Sequence, residues 1–437
     1  MTPLHRLTVL EAARALETAQ ITAEQLTRAY LDRIAEREPD VQAFTECDPQ
    51  RAIFGARQAD AQPPGPPLRG IPFAVKDIFD TVDYPTSYGS EIYAGHIPAT
   101  DAACVAGLRK QGAIVLGKTV TQEFATRTSG KTRNPHRLSH TPGGSSSGSA
   151  AAVADGMAPI ALGSQTTGSI LRPATYCGVT GYKPTFQLIP SAGMKALSPS
   201  QDTAGILART VADATLLVHG LQGVKSVLAP AGHLRIGLCV SSQWQYARPA
   251  SLQAVERVRY RLEDAGASVR EVQLPRRMES ALTIQTPITS YEARRSLSHE
   301  YRSHRQRLSP RLRERLAAAD SIGMTDYLHM LQEAAEARSF AAILFDGLDA
   351  LLYPATEGEA EAGLDESGSP RFGALWTLLH LPTIALPVGR GPSGLPVGVQ
   401  LIGPHGCDLR VLAVAHAVAS MFPIDYSTDT TSNGLYA

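Results

Sequence analysis

Apolar and polar positions along this chain follow helical spacing in some segments and form strand-like apolar runs in others. The pattern changes at capping residues and at proline- and glycine-rich stretches. Thr8 and Thr22 each stand three residues before a Glu or a Gln and open segments with helical spacing, which predicts two amphipathic helices. A proline-rich stretch at 61–70 then ends the helical pattern. The apolar run IPFAVKDIF that follows is typical of a buried strand.

Helical and strand-like segments alternate from about residue 101 to residue 163, in the order DAACVAGLRKQG, AIVLGKT, SSGSAAAVADG and APIALG. From about Ser251 to Leu344 the pattern is mainly helical and rich in arginine, and strand patterns return in ALLYPA, PTIALPVG and PVGVQLIG. We therefore predict an α/β fold with one large mixed, mostly parallel β-sheet covered by helices on both faces. The middle region is interpreted as an elaboration of that sheet.

The composition excludes some classes of function. The chain of 437 residues has 41 basic and 41 acidic ones, so no global field favours nucleic acid or an anionic membrane surface. Glu11 and Glu17 interrupt the amino terminus, and no apolar run reaches the ~20 residues of a membrane span. We expect a cytoplasmic protein that acts on a small-molecule substrate, with no nucleic-acid or membrane partner. Its oligomeric state is left open, with a homodimer as one alternative.

Cysteine and histidine give no sign of a metal centre. The five cysteines are far apart and include no CxxC pair, and the twelve histidines form no HExxH motif. We therefore expect neither a disulfide framework nor a metal site, and we expect no cofactor.

The glycine- and serine-rich stretch TPGGSSSGSAAAVADG at 141–156 allows several interpretations. It is not a P-loop, because no lysine follows its last glycine, and it is a poor linker, because a helix and a strand follow at once. Residues 144–148 match GxSxG with Ser146 at the centre, yet the hydrophobic strand that precedes a nucleophile elbow is missing. The scattered histidines offer no evident base for such a serine.

Lysine is the next candidate for a base. Of the seven lysines, Lys76 has the most hydrophobic surroundings in sequence. A buried lysine has a lowered pKa, and its neutral form accepts a proton from a hydroxyl. The residues alone also allow a lysine that extends from a strand end to solvent or pairs with Asp77.

Three stretches together resemble the amidase signature family of serine amidohydrolases. They are GIPFAVKDIFD, TRNPHRLSHTPGGSSSGSAAAVADG and ALGSQTTGSILRPATYCGVTGYKPT, and weaker matches extend over most of the chain. The resemblance implies a single amidase domain over 1–437 with the amidase signature fold. Within it, 61–220 would be the signature core, 221–344 a helical elaboration shaping the substrate pocket, and 345–437 the return to the sheet.

The resemblance also implies a Ser-Ser-Lys triad. Lys76 would be the base, Ser145 the bridge that follows a cis peptide bond, and Ser169, 24 positions later, the nucleophile. Ser169 would attack an amide carbonyl, form an acyl-enzyme and release ammonia, and water would then free the acid. Backbone amides at and before the nucleophile would form the oxyanion hole: Thr166, Thr167, Gly168 and Ser169.

The chain departs from the family pattern around the nucleophile. Gln165 stands where the family has an acid, and Thr167 replaces a glycine, which puts a positive φ there in doubt. The arginine is shifted by one place to Arg172, a pattern that resembles small malonamidase-like bacterial amidases. Arg172 would then bind the carboxylate of a substrate such as malonamate, and a structural salt bridge is the alternative.

The main functional prediction is an amidase that hydrolyses a small carboxamide to a carboxylate and ammonia. Two alternatives stay open at this point. The chain is also similar to the amide-cleaving component of a tRNA-dependent amidotransferase, which would need a partner enzyme. It would alternatively be a non-catalytic protein on the same fold, because a fold does not guarantee activity.

Overall fold

Strands and helices alternate along the chain in this computed structural model, which describes residues 2–63, 65–223 and 232–424. The strands within the described residues are β1 (Phe44–Cys47), β2 (Pro72–Lys76), β3 (Ile114–Thr119), β4 (Ile160–Gln165), β5 (Thr180–Lys183), β6 (Thr203–Ala208), β7 (Arg235–Val240), β8 (Ser268–Gln273), β9 (Ala350–Pro354), β10 (Thr383–Arg390) and β11 (Pro396–Ile402).

The α-helices lie between and around these strands. Within the described residues they are α1 (Val9–Glu17), α2 (Ala23–Val41), α3 (Pro49–Asp60), α4 (Ala103–Lys110), α5 (Ser147–Ala154), α6 (Leu171–Cys177), α7 (Val211–Gln222), α8 (Pro249–Asp264), α9 (Arg276–Ser296), α10 (Ser298–Ser303), α11 (Pro310–Ala318), α12 (Met324–Phe340), α13 (Arg371–Leu378) and α14 (Asp408–Ser420).

All eleven described strands join one sheet in the order β1-β3-β2-β4-β6-β5-β10-β11-β9-β7-β8, so β1 and β8 are its edges. The prediction of a large mixed sheet is confirmed. Its expected parallel majority is wrong, because six of the ten pairings among the described strands are antiparallel. Short connections such as the turn between β10 and β11 favour antiparallel neighbours, and a helix–strand alternation does not reveal them.

Helices cover both faces of the central sheet. Every residue of β4 and of β6 is buried, which requires a packed layer on each side, since alternate side chains point to opposite faces. Helix α5 packs against β2, β4 and β6, whereas α7 packs against β5, β6 and α14. The capping boxes at Thr8 and Thr22 are present at the starts of α1 and α2.

The middle region contains both helices and strands. Helices α11 and α12 pack against α9, and α9 also contacts α13. Strands β7 and β8 flank α8 and pair in parallel, although the sequence pattern around β8 is mainly helical and predicted no strand there. The division of 1–437 into three segments stays a prediction, and its parts at 1, 64, 224–231 and 425–437 lie outside the described residues.

The centre of the sheet determines where the site lies. Strand β2 pairs in parallel with both β3 and β4, so the carboxyl ends of all three strands meet at one edge of the sheet. Lys76 ends β2, Thr119 ends β3 and Gln165 ends β4. Ligand sites of α/β sheets lie at this type of edge.

Candidate active site

Lys76 lies fully buried at the end of β2, and its amine is surrounded by serine oxygens. Nζ lies 2.8 Å from Oγ of Ser145 and 2.8 Å from Oγ of Ser164, with the Ser164 carbonyl oxygen at 3.4 Å. The three acceptors match the three N–H bonds of an ammonium group. In the neutral amine, two N–H bonds are satisfied by Ser164 and the lone pair is free to face the Ser145 hydroxyl.

The pKa of Lys76 lies well below its usual value. Burial is the largest cause, since it removes the ammonium ion from water, and the positive charge of Arg172 lowers the pKa further. The carboxylate of Asp202 raises it and so offsets part of this shift. The surroundings therefore favour the neutral amine that a general base requires.

The glycine- and serine-rich turn brings Ser145 to Lys76 through a cis peptide bond between Gly144 and Ser145. A Cβ on Gly144 would lie 2.6 Å from the end of the Gln122 side chain, so any other residue there would require that side chain to shift. The buried Ser146 Oγ donates to the Ser164 carbonyl at 3.2 Å and accepts from the Ser164 N–H at 3.3 Å. Ser146 therefore stabilises the turn and does not line the cavity described below, which leaves the nucleophile-elbow interpretation without geometric support.

Ser169 lies on the loop after β4, beside the turn. Its carbonyl accepts the Ser146 N–H at 3.2 Å, and its side chain lines a cavity. Among the hydrogen bonds of the described residues, none joins Ser169 to Ser145. The structure thus joins Lys76 to Ser145 directly and holds Ser169 next to them through the backbone.

Three residues of the loop at 166–169 line the same cavity: Thr166, Thr167 and Ser169. Among the described residues, no acceptor contacts the backbone N–H of any of the four residues predicted to form the oxyanion hole. Thr167 is not among the residues with positive φ, so its β-branched side chain is compatible with this backbone. A row of unpaired N–H groups beside a hydroxyl is suited to a developing oxyanion.

Gln165 takes a structural position in place of the family's acid. Its Oε1 accepts the N–H groups of Ile170 at 2.8 Å and Leu171 at 3.1 Å, at the start of α6. Its Nε2 donates to Thr377 Oγ1 at 3.0 Å, and this hydroxyl in turn lies 3.0 Å from the carbonyl of Thr167. The Gln165 amide thus holds both ends of the loop. Its Nε2 donor, which a carboxylate would lack, finds its acceptor in Thr377 of α13.

Arg172 is only 5% exposed and contacts the turn from α6. Its Nη2 donates to the Gly144 carbonyl at 2.5 Å and to Ser367 Oγ at 3.4 Å, whereas its buried Nε and Nη1 have no partner among the described residues. In the same part of the chain it forms no ion pair, so the alternative of a structural salt bridge finds no partner there. Its role in substrate binding stays a prediction.

Sequence reasoning missed two side chains that affect Lys76, those of Ser164 and Asp202. Ser164 contacts Lys76 directly, and the carboxylate of Asp202 accepts a hydrogen bond from Thr166 Oγ1 at 2.5 Å. Backbone N–H groups of Leu197 and Ser198 also donate to Asp202. The only signal was their position, since each lies at or beside a buried strand adjacent to β2 or β4 in the sheet order.

The cavity next to Ser169 has a volume of about 330 Å³. Its walls come from the loop at 166–169, the loop after β3, α9 and α11. Trp376 is fully buried in the core and does not line the cavity. The described residues contain no cluster of metal-ligating side chains and no helix long and apolar enough to cross a membrane.

Known proteins resemble this chain over nearly its whole length. A family model described as Amidase matches residues 25–412. The A subunit of the glutamyl-tRNA(Gln) amidotransferase from Acidothermus cellulolyticus is 34% identical over 487 residues, covering 97% of this chain and 95% of the relative.

Solved structures agree with the fold. An amidase crystal structure has a TM-score of 0.88 at 32% identity and covers 95% of this chain and 99% of its own. The A subunit of the glutamyl-tRNA(Gln) amidotransferase from Thermotoga maritima has a TM-score of 0.79 at 26% identity, covering 99% of this chain and 97% of its own. Neither relative supports the narrower resemblance to malonamidase-like amidases or malonamate as a substrate.

These relatives overturn the prediction on partners. The two amidotransferase relatives are each named as one subunit of an enzyme for glutamyl-tRNA(Gln). The expectation of a small-molecule amide as the only partner, without nucleic acid, is therefore wrong. The error has a physical source, because a balanced net charge reports on direct electrostatic attraction and not on partners held through another protein chain. The cytoplasmic location stays a prediction.

Proposed function

Since the chain belongs to the amidase signature family, we propose that it is the amide-cleaving component of a tRNA-dependent amidotransferase. Family membership makes it an enzyme that acts on carbon–nitrogen amide bonds. In the proposed assembly this chain releases ammonia from an amide donor. A partner enzyme then uses the ammonia to amidate an acyl group carried by tRNA.

The observation that carries the proposal is the buried contact between Lys76 Nζ and Ser145 Oγ, beside the free N–H groups at 166–169. Neutral Lys76 accepts the Ser145 proton while Ser145 accepts the proton of Ser169. The Ser169 Oγ forms a bond to the amide carbon, and the carbonyl oxygen becomes an oxyanion held by the loop N–H groups.

The second half of the reaction returns the proton. The tetrahedral intermediate breaks its carbon–nitrogen bond, and the leaving nitrogen takes the proton back through Ser145 from Lys76, so neutral ammonia departs. The acyl group stays on Ser169 as an ester. Water, deprotonated by the same relay, then hydrolyses the ester and restores the free hydroxyl.

The relatives support the amidotransferase assignment over a hydrolase that works alone. The similarity covers nearly the full length of the amidotransferase relative and not only the signature stretches. The departures at Gln165 and Thr167 leave the three proposed catalytic residues in place. Non-catalytic scaffolding would leave the lowered pKa of Lys76 unused.

The test measures ammonia release from L-glutamine by the purified chain, alone and co-expressed with the other components of an amidotransferase, with and without glutamyl-tRNA. We expect slow release by the chain alone and faster release in the complex with charged tRNA. Ser169→Ala should abolish release, whereas Ser146→Ala, a matched change in the turn, should retain most of it.

Two results would contradict the assignment. Equal rates with and without partners and tRNA would make the chain a hydrolase that works alone. A complex that forms normally and amidates tRNA from added ammonia, but never from an amide donor, would remove the proposed catalytic role of Ser169.

A further inference from the structure

Two side chains contact the carbonyl groups of the loop at 166–169, one from α9 and one from α13. Gln285 of α9 donates through Nε2 to the Thr166 carbonyl at 3.3 Å and to Thr167 Oγ1 at 3.0 Å. Thr377 Oγ1 of α13 lies 3.0 Å from the Thr167 carbonyl. The carbonyls of two successive peptides in this loop therefore contact neighbouring helices.

These carbonyls belong to the same peptide groups as two of the predicted oxyanion donors. The Thr166 carbonyl shares its peptide with the Thr167 N–H, and the Thr167 carbonyl shares its peptide with the Gly168 N–H. Both peptides are trans, since the one cis peptide bond among the described residues lies between Gly144 and Ser145. The C=O and N–H of a planar trans peptide point in opposite directions. A side chain that holds the carbonyl therefore also sets the direction of the N–H.

The Gln285 amide has little freedom to turn. It is 2% exposed, and its Nε2 also lies 2.9 Å from Gln201 Oε1 and 3.2 Å from Thr289 Oγ1. A carbonyl oxygen only accepts, so the contact with Thr166 requires the nitrogen of the amide at this position and excludes the reversed orientation. Gln285 thus connects α9 and the loop through a buried amide with a fixed orientation.

The same contact gives a role to a departure from the family pattern. Thr167 stands where the family has a glycine, and a glycine would offer α9 no side-chain acceptor. The Thr167 hydroxyl provides one. The residue that departs from the pattern is therefore one of the two loop residues that Gln285 contacts.

We propose that Gln285 is a positioning residue for the oxyanion hole, which holds the peptide between Thr166 and Thr167 so that the Thr167 N–H faces the developing oxyanion. The inference rests on the proposed function, because it takes Ser169 as the nucleophile. Without Gln285 this peptide can rotate about its flanking bonds, and a turned peptide presents the negative end of its dipole to the oxyanion. Gln285 acts through the backbone of the loop.

The first experiment measures kcat and KM for ammonia release from L-glutamine by the complete assembly. Gln285→Met keeps the length of the side chain and removes the Nε2 donor. Loss of one oxyanion donor lowers kcat about 10²- to 10³-fold, and a peptide that turns only part of the time should lose less, about 10- to 100-fold. KM should change less than about threefold, because the oxyanion exists only after the attack.

Gln222→Met is the matched control, because it removes the same kind of contact elsewhere. Gln222 Nε2 also donates to a backbone carbonyl, that of Leu188 at 2.6 Å, and it lies outside the cavity lining. The control should leave kcat and KM unchanged. If Gln285→Met does not fold, as judged by circular dichroism, Gln285→Ala replaces it with the same expectations, since it only enlarges the cavity that Gln285 lines.

A second experiment needs no partner, tRNA or amide donor. An alkyl fluorophosphonate reacts with an activated serine: the Ser169 Oγ bonds to phosphorus, fluoride leaves, and the serine proton passes through Ser145 to Lys76. The phosphoryl oxygen takes the place of the oxyanion. The rate at which the full chain gains the mass of the adduct should fall about 10- to 100-fold in Gln285→Met and stay unchanged in Gln222→Met. The pH at which labelling rises depends on Lys76 and should stay in place.

Three results would overturn the inference and leave the proposed function intact. The first is labelling of Ser169 at the wild-type rate in Gln285→Met. The second is a higher KM with unchanged kcat, which would make Gln285 a residue that contacts the substrate. The third is a shift of the labelling pH profile, which would show that the substitution disturbs Lys76 as well. Labelling of the wild type that persists in Ser169→Ala would overturn the proposed function, and this inference with it.

Discussion

The Ser164 hydroxyl gives the sharpest test of the proposed relay, because it contacts Lys76 without taking part in the reaction. Ser164→Ala removes the acceptor 2.8 Å from Nζ and leaves Ser145 in place. The ammonium form then loses a charge-assisted hydrogen bond, and the neutral amine loses an ordinary one. The charged form loses more, so the pKa of Lys76 should fall further.

The size of the effect follows from the difference between the two bonds. A hydrogen bond to a charged group contributes about 1.5–3 kcal/mol and a neutral one about 1 kcal/mol, which leaves a difference of roughly 0.5–2 kcal/mol. At about 1.4 kcal/mol for each pH unit, the pKa should fall by roughly half a unit to one and a half units. Activity rises with pH as Lys76 loses its proton, so this rise should move to lower pH by the same amount.

The assay is the pH dependence of kcat/KM for ammonia release, measured between about pH 5 and 10 for wild type and Ser164→Ala. Ser147→Ala is the control, since its hydroxyl donates to the Val120 carbonyl at 3.3 Å and does not contact Lys76. A rise that stays in place, or moves to higher pH, in Ser164→Ala would refute the reasoning that Ser164 stabilises the protonated amine.

Three further changes test other parts of the site. Ser169→Ala should reduce kcat to background without lowering the free energy of urea unfolding. If Ser146→Ala abolished activity and Ser169→Ala did not, the nucleophile would be Ser146. Lys76→Met should abolish activity. In the wild type the unfolding free energy should rise with pH up to about pH 10.4, because below that pH the unfolded chain carries a proton on Lys76 that the folded chain does not. Lys76→Met should remove this rise. Thr377→Val removes the acceptor of the Gln165 Nε2 group and should cost about 1–3 kcal/mol of stability in urea unfolding together with a loss of kcat. Unchanged stability would exclude this role of Thr377.

The sequence identified Lys76 and Ser145, which the structure brings into contact, but not the side chains that surround them. The catalytic roles of the site residues stay predictions. Lys76, Ser145 and the loop before Ser169 could be identified because each lies in a short motif with a fixed order. Ser164 and Thr377 could not, since they reach their partners across 88 and 212 residues, and only the pairing of strands and helices determines such contacts.

The sheet shows the same limit. Strands with continuous apolar runs, such as β2 and β10, were predicted from their patterns. Strand β8 was missed, because an exposed edge strand with only Val269 and Val272 as apolar residues has no apolar run. The antiparallel majority was missed because strand direction depends on which strands become neighbours, and the pattern of each strand is the same in either direction.

The two edges of the sheet have a consequence for solubility at high protein concentration. An edge strand offers unpaired backbone groups to which another molecule can add a strand. The edge strand β1 is only four residues long, and β8 carries exposed Arg270 and Glu271 at its centre. A short edge and a charged edge both disfavour intermolecular pairing, so a sheet of eleven strands can stay open at both ends without acting as a template for aggregation.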